Sequence, residues 1–109
     1  EYVALFPNVM IGLHIDHFYV FWLEPLSMNK TKEHMQMYYV GDESANGNEL
    51  KELRKDNSRF WKKVMIEDIN AIEGMQEGRN SPVYNGGNFS PIMDQPTHQF
   101  HKWVANSLI

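Results

Sequence analysis

The sequence predicts an α+β domain in which antiparallel strands come first and helices follow. Two observations carry that reading. The segment from Tyr2 to Gly41 is rich in aromatic and β-branched residues punctuated by turn formers, which is the texture of successive strands. From Asn48 onward good helix formers take over, and an apolar stripe at helical spacing closes the chain.

Three strands are expected within 2–41. The first runs from about Tyr2 to Leu13, with Pro7-Asn8 as a bulge or edge position where no ladder hydrogen bond is required. His14 to His17 is the turn. The second, Phe18-Tyr19-Val20-Phe21-Trp22-Leu23, is apolar on both alternating faces, which marks a central strand covered on both sides and ended by Pro25. In the third, Met35, Met37 and Tyr39 alternate with His34, Gln36 and Tyr38, the period of a sheet with one wetter face, and Gly41-Asp42 closes it.

The helical region is expected over about 48–78, capped by Asn46-Gly47-Asn48 and with a possible break at Asp56-Asn57-Ser58. Residues 80–96 carry Pro82, Gly86, Gly87, Pro91 and Pro96 and read as a loop. The final helix spans about 97–108, with Asp94 or Thr97 near its start and a stripe of Phe100, Trp103, Val104 and Leu108. There is no internal repeat and no low-complexity tract.

With 109 residues the chain is one small domain at most. Its net charge of −4 comes from mixed acids and bases, so no basic stripe offers itself to nucleic acid. The absence of cysteine excludes disulfides, thiolate zinc sites and cysteine-held clusters within this chain and permits a cytoplasmic location, which is the expectation here. Any metal must take His, Asp or Glu. No apolar run approaches the roughly eighteen residues that a membrane helix needs. Glu1 leads straight into strand-like sequence without an initiator Met, so the chain reads as part of something longer.

Asp68 is the residue out of pattern. At about 100° per residue, Trp61, Val64, Met65, Ile72 and Met75 share one narrow arc, and Asp68 lies near its centre while Glu67 falls to the side. A carboxylate in an apolar setting needs a partner or a cation. Arg59, Arg79, Tyr84 or a backbone amide answers that need as well as a metal does, and spacing alone leaves the two readings even.

The histidines offer less. His14-x-x-His17 lies in a tight turn, where positions three apart are expected to point to opposite faces. His98-x-x-His101 sits on a predicted helix and could join Asp68 in a set of two His and one carboxylate, a minority reading beside simple ring packing. A lone His34 in a sheet is usually structural. Gly86-Gly87-Asn88 makes no phosphate cradle, and the serines show no nucleophile elbow.

The segment Glu67-Asp68-Ile69-Asn70-Ala71-Ile72-Glu73-Gly74-Met75-Gln76-Glu77-Gly78-Arg79-Asn80-Ser81 resembles a stretch of Rieske-type non-haem iron oxygenases, the ring-hydroxylating α subunits and their relatives acting on quaternary amines. In that family an acidic pair on a helix precedes a Gln and then a Gly, and the second acid is the carboxylate iron ligand. Here that acid is Asp68. Phe6-Pro7-Asn8-Val9-Met10-Ile11 and Phe18 to Pro25 look like the family's strands, and Gly87-Asn88-Phe89-Ser90-Pro91 with Phe100-His101-Lys102-Trp103 is similar to its closing loop and helix. The likeness covers most of the chain.

The resemblance implies a helix-grip, START-like catalytic-domain fragment over residues 1–109. The Rieske domain is absent, because its C-x-H and C-x-x-H motifs need cysteines. The family's D-x-x-H-x4-5-H iron motif is also missing. Only Asp68 therefore carries over as a metal ligand, and His14, His17, His34, His98 and His101 receive no metal role. Implied for the full-length parent are mononuclear Fe(II), a [2Fe-2S] cluster, O2, an aromatic or quaternary-amine substrate, a reductase or ferredoxin donor and a homo-oligomer, a trimer. The reaction would be O2-dependent hydroxylation or demethylation by a mono- or dioxygenase, with this chain alone inactive. Trp61, Met65, Ile72 and Met75 would support Asp68, and Tyr38 or Phe21 would line the substrate cavity. The alternative is a non-catalytic helix-grip module binding an apolar ligand. For the fragment alone, uncovered apolar surface around Phe18 to Leu23 is expected to favour self-association.

Overall fold

The computed structural model describes every residue from Glu1 to Ile109, and the chain divides into two units, one of Glu1–Ala45 with Phe89–Ile109 and one of Asn46–Asn88. Strands fill the start of the first unit and a long helix fills the second, an α+β arrangement in keeping with a helix-grip fold.

The sheet has four strands, β1 (Tyr2–Leu5), β2 (Val9–Leu13), β3 (His17–Ser27) and β4 (Lys30–Tyr39), in the order β1-β2-β3-β4 with every neighbour antiparallel. The expected first strand is thus two. Phe6-Pro7-Asn8 is a hairpin turn that brings Leu5 opposite Val9, and not a bulge within one strand. A proline without an N–H and an Asn that hydrogen-bonds locally suit a turn better than a ladder. Asn8 also ties the turn to β3, its Nδ2 donating to Leu23 O at 2.8 Å and its carbonyl accepting from Leu23 N at 3.0 Å.

β3 is interior, as its apolar character requires, but it does not stop before Pro25. It continues to Ser27 across a register shift between Pro25 and Ser27, where a residue lacking an N–H leaves no ladder bond unmade. One face of β3 is dry, with His17, Tyr19 and Phe21 buried, while Phe18, Val20 and Trp22 on the other are half-buried. On that second face, cross-strand pairing stacks Phe18 on Tyr38 and Trp22 on His34, each at 4.8 Å between ring centroids. β4 alternates from Met35 onward, with Met35, Met37 and Tyr39 half-buried and Gln36 and Tyr38 exposed, while His34, expected on the wetter face, is half-buried where it stacks on Trp22.

Gly41, at φ +88°, turns the chain out of β4 through a left-handed conformation into the short helix α1 (Asp42–Asn46). The sequence reading missed α1, a helix too short to show periodicity. Helix α3 (Gln95–Ser107) begins two residues earlier than expected, with Pro96 inside its first turn, where a missing N–H costs nothing. Asp94 precedes it, but its Oδ2 accepts from Ser90 N at 2.7 Å instead of bonding a helix N–H. The α3 stripe meets the β1–β2 turn, since Phe6 packs edge-on against Phe100 at 5.3 Å and against Trp103 at 6.0 Å. Leu108 lies beyond the last turn and is exposed.

In the second unit, α2 (Lys51–Arg79) runs unbroken for 29 residues, a rod of roughly 44 Å. Asp56-Asn57-Ser58 does not interrupt it, and ion pairs Glu52–Lys55, Asp56–Arg59 and Lys63–Glu67 lace its surface at helical spacing. Its N-cap is Leu50 without a side-chain bond, not the Asn46–Asn48 stretch; Asn48 contributes only its carbonyl, accepting from Lys51 N. At the other end Asn80 N–H bonds the carbonyls of Gln76 and Glu77. Residues 80–94 form turns without regular structure, as their Pro and Gly content predicts, and Gly86 takes φ +93°.

Candidate functional site

Asp68 stands on α2 among the residues that its sequence pattern names, but its surroundings differ from expectation. Trp61, Val64 and Met65 are half-buried, Ile72 and Met75 are more than half exposed, and Asp68 itself is exposed, as α2 buries no residue. The carboxylate therefore carries no desolvation cost in this chain that a partner must offset. The expectation of an acid held in an apolar interior is corrected to that of an exposed acid on a rigid helix. Arg59, one proposed partner, is engaged by Asp56. No three His, Asp or Glu side chains come together as a metal site.

His98 and His101 do share a face of α3, and both grip the Phe89 ring, at 4.8 and 5.1 Å between centroids. They anchor the loop to the helix. Tyr38 and Phe21, the two alternatives expected for a substrate-cavity lining, lie on opposite faces of the sheet, since Phe21 pairs with Met35 and Tyr38 with Phe18 in alternating register.

The largest departure is at the β2–β3 turn. His14 and His17 do converge: their rings stack at 4.7 Å and 8°. The expectation of opposite faces neglected the turn itself. With two residues, Ile15-Asp16, between them and His14 N donating to His17 O at 3.0 Å, the histidines are directly opposed cross-strand partners on one face. The signal was legible as a two-residue gap between strand-like runs. His17 Nδ1–H donates to Asp16 Oδ1 at 2.7 Å, and this bond is the main cause holding the Asp16 carboxyl below its ordinary value. Tyr2 packs edge-on against His14 at 6.2 Å, Tyr19 lies 5.9 Å from it, and Tyr39 lies 6.1 Å from His17. Burial pushes the Tyr19 phenol up, with a smaller contribution from Tyr2. The turn leaves a shallow, open surface depression lined by Glu1, Leu13, His14, Ile15, Asp16 and His17.

On the other face, His34 Nε2–H donates to Glu24 Oε2 at 2.6 Å, with Lys32 Nζ at 3.9 Å from the same oxygen. The hydrogen bond from His34 lowers the Glu24 carboxyl, and the Lys32 charge adds to it. Glu24 thus clamps the ring that stacks on Trp22.

The model of the ring-hydroxylating alpha subunit family, catalytic domain, matches residues 1–108, and the chain belongs to that family. No curated protein and no solved structure matches the chain. No helix is long and apolar enough to cross a membrane.

Proposed function

We propose that this chain is part of the catalytic domain of a Rieske-type non-haem iron oxygenase that hydroxylates or demethylates an aromatic or quaternary-amine substrate with O2. The observation that carries this reading is the family match over residues 1–108, joined to the Glu67-Asp68 pair and the Gln76-Glu77-Gly78 that follows it on α2. In this reading Asp68 supplies the carboxylate of a 2-His-1-carboxylate Fe(II) site. In this reading the chain supplies one of three protein ligands and does not hold the iron alone. The two histidines come from residues outside this sequence, as does the [2Fe-2S] cluster, whose cysteines this chain lacks.

What Asp68 offers fits the task assigned to it. It is an anionic oxygen donor, exposed, on a 29-residue helix that fixes its direction. When bound, the iron would supply O2 activation, and Asp68 would supply it with a negatively charged oxygen ligand. Electrons arrive from a reductase or ferredoxin, and the parent assembles as a homo-oligomer in a cytoplasmic setting. The reading as a non-catalytic module gains no specific observation.

The test is turnover of the full-length parent with isotopically labelled O2 and its reductase. The parent is expected to place label in the product and its Asp68→Ala variant to place none. Labelled product at the wild-type rate from Asp68→Ala would overturn the role given to this acid.

A further inference from the structure

Asn is followed by Gly at two places in this chain, Asn46-Gly47 and Asn85-Gly86, and neither pair has a part in the function proposed above. Such a pair is chemically labile. The side-chain amide carbon of Asn is an electrophile within reach of the next backbone nitrogen, and a following Gly has no side chain to shield that nitrogen. Whether the two atoms meet is decided by the backbone.

The two pairs stand in opposite surroundings. Asn46 is the last residue of α1, where the helical backbone fixes its ψ and commits the following N–H to the direction of the helix axis, and Gly47 is half-buried. Asn85 and Gly86 are exposed and belong to no helix or strand. The turn that precedes them is closed by Tyr84 N donating to Ser81 O at 3.0 Å, and no backbone hydrogen bond occupies the Gly86 N–H. Gly86 takes φ +93°, and a Cβ built there would meet nothing within 4 Å, so open space surrounds the reacting atoms.

We propose that Asn85-Gly86 is a site of spontaneous deamidation, by which this chain acquires an aspartate or isoaspartate in the segment leading out of α2. The Gly86 nitrogen gives its proton to solvent base and attacks Asn85 Cγ. A C–N bond forms, the Cγ–Nδ2 bond breaks, and Nδ2 takes up a proton and leaves as ammonia. The succinimide that remains is opened by water. Cleavage of the new bond yields aspartate; cleavage of the old peptide bond yields isoaspartate, whose main chain runs through the former side chain and is one methylene longer. No oxidant or cofactor enters. Either product adds a negative charge to a chain already at −4, directly before Gly87-Asn88-Phe89.

The test ages the full-length parent in warm, mildly alkaline buffer, once folded and once in guanidinium chloride, and follows the peptides that contain Asn46 and Asn85 by mass spectrometry. In the folded protein the Asn85 peptide is expected to gain the mass of an amide-to-acid change, split into two chromatographic forms. It should do so about tenfold faster than the Asn46 peptide, because Asn46 must first open the last turn of α1. In denaturant the two rates are expected to converge, and Asn85→Gln to remove the gain from its peptide in either state. Equal rates in the folded protein, Asn46 ahead of Asn85, a folded Asn85 that stays intact, or a gap that persists in denaturant overturns the proposal.

Discussion

Gly12 and Tyr19 show how one missing side chain shapes the dry face of the sheet. Because a Cβ at position 12 would meet the Tyr19 ring at 2.3 Å, Gly12→Ala is expected to destabilise the chain by about 1–3 kcal/mol, as overpacking does. Thermal denaturation reads this directly. The penalty should shrink when Tyr19 is first truncated to Ala; additive effects would mean that the two do not collide. Glu24 sets a pH dependence on the opposite face. Its carboxyl is lowered mainly by the hydrogen bond from His34, so the stability it contributes is present above the ordinary carboxylate value and is lost as pH falls through its lowered value. Melting of wild type and Glu24→Gln should therefore differ near neutral pH and converge in acid. A difference that persists in strong acid would contradict the ionic account. Neither feature was legible in the sequence, because both depend on which residues a hairpin register sets opposite each other. The His14–His17 stack differs, because the two-residue gap that opposes the rings was there to be read, but spacing along a strand and spacing across such a turn give opposite answers.

The elements were more legible than their boundaries. Aromatic and β-branched texture located the strands, and the alternation of Met35, Met37 and Tyr39 placed the half-buried positions of β4 from Met35 onward correctly. Pro7-Asn8 and Pro25 were misread for related reasons. A proline marks a place where a ladder bond is dispensable, but whether the chain reverses there or runs on through a bulge is decided by its neighbours. α2 runs straight through the polar Asp56-Asn57-Ser58 stretch, which the Asp56–Arg59 pair spans at helical spacing. The attachment of α3 rests on Phe6, whose ring meets both Phe100 and Trp103 while remaining 37% exposed. Phe6→Ala should cost about 1–2 kcal/mol, less than a fully buried Phe would. It should also shift Trp103 emission to the red, as seen when Trp22 and Trp61 are replaced by Phe to isolate that signal. Unchanged stability and emission would mean that α3 is held by other contacts.

At the scale of the molecule, apolar exposure lies elsewhere than the sequence indicated. Phe18 to Leu23 are buried or half-buried between β2 and β4, whereas Tyr2, Leu5, Phe60, Ile66, Ile72 and Met75 stand exposed on β1 and α2. The chain on its own should accordingly self-associate through these surfaces, and sedimentation that shows a monomer across the micromolar range would refute this. Asp68 itself was visible as an acid out of pattern, but the pattern implied burial, and the exposed helix face shows that periodicity predicts which side is apolar and not what covers it. Its assignment to iron came from the acidic pair and the family to which the chain belongs. That assignment is specific to one of two adjacent acids, which makes metal analysis of the full-length parent its most direct test. Asp68→Ala should lose the mononuclear iron and keep the visible absorption of the [2Fe-2S] cluster, while Glu67→Ala should keep both. Iron retained in Asp68→Ala, or lost equally from Glu67→Ala, would contradict the account.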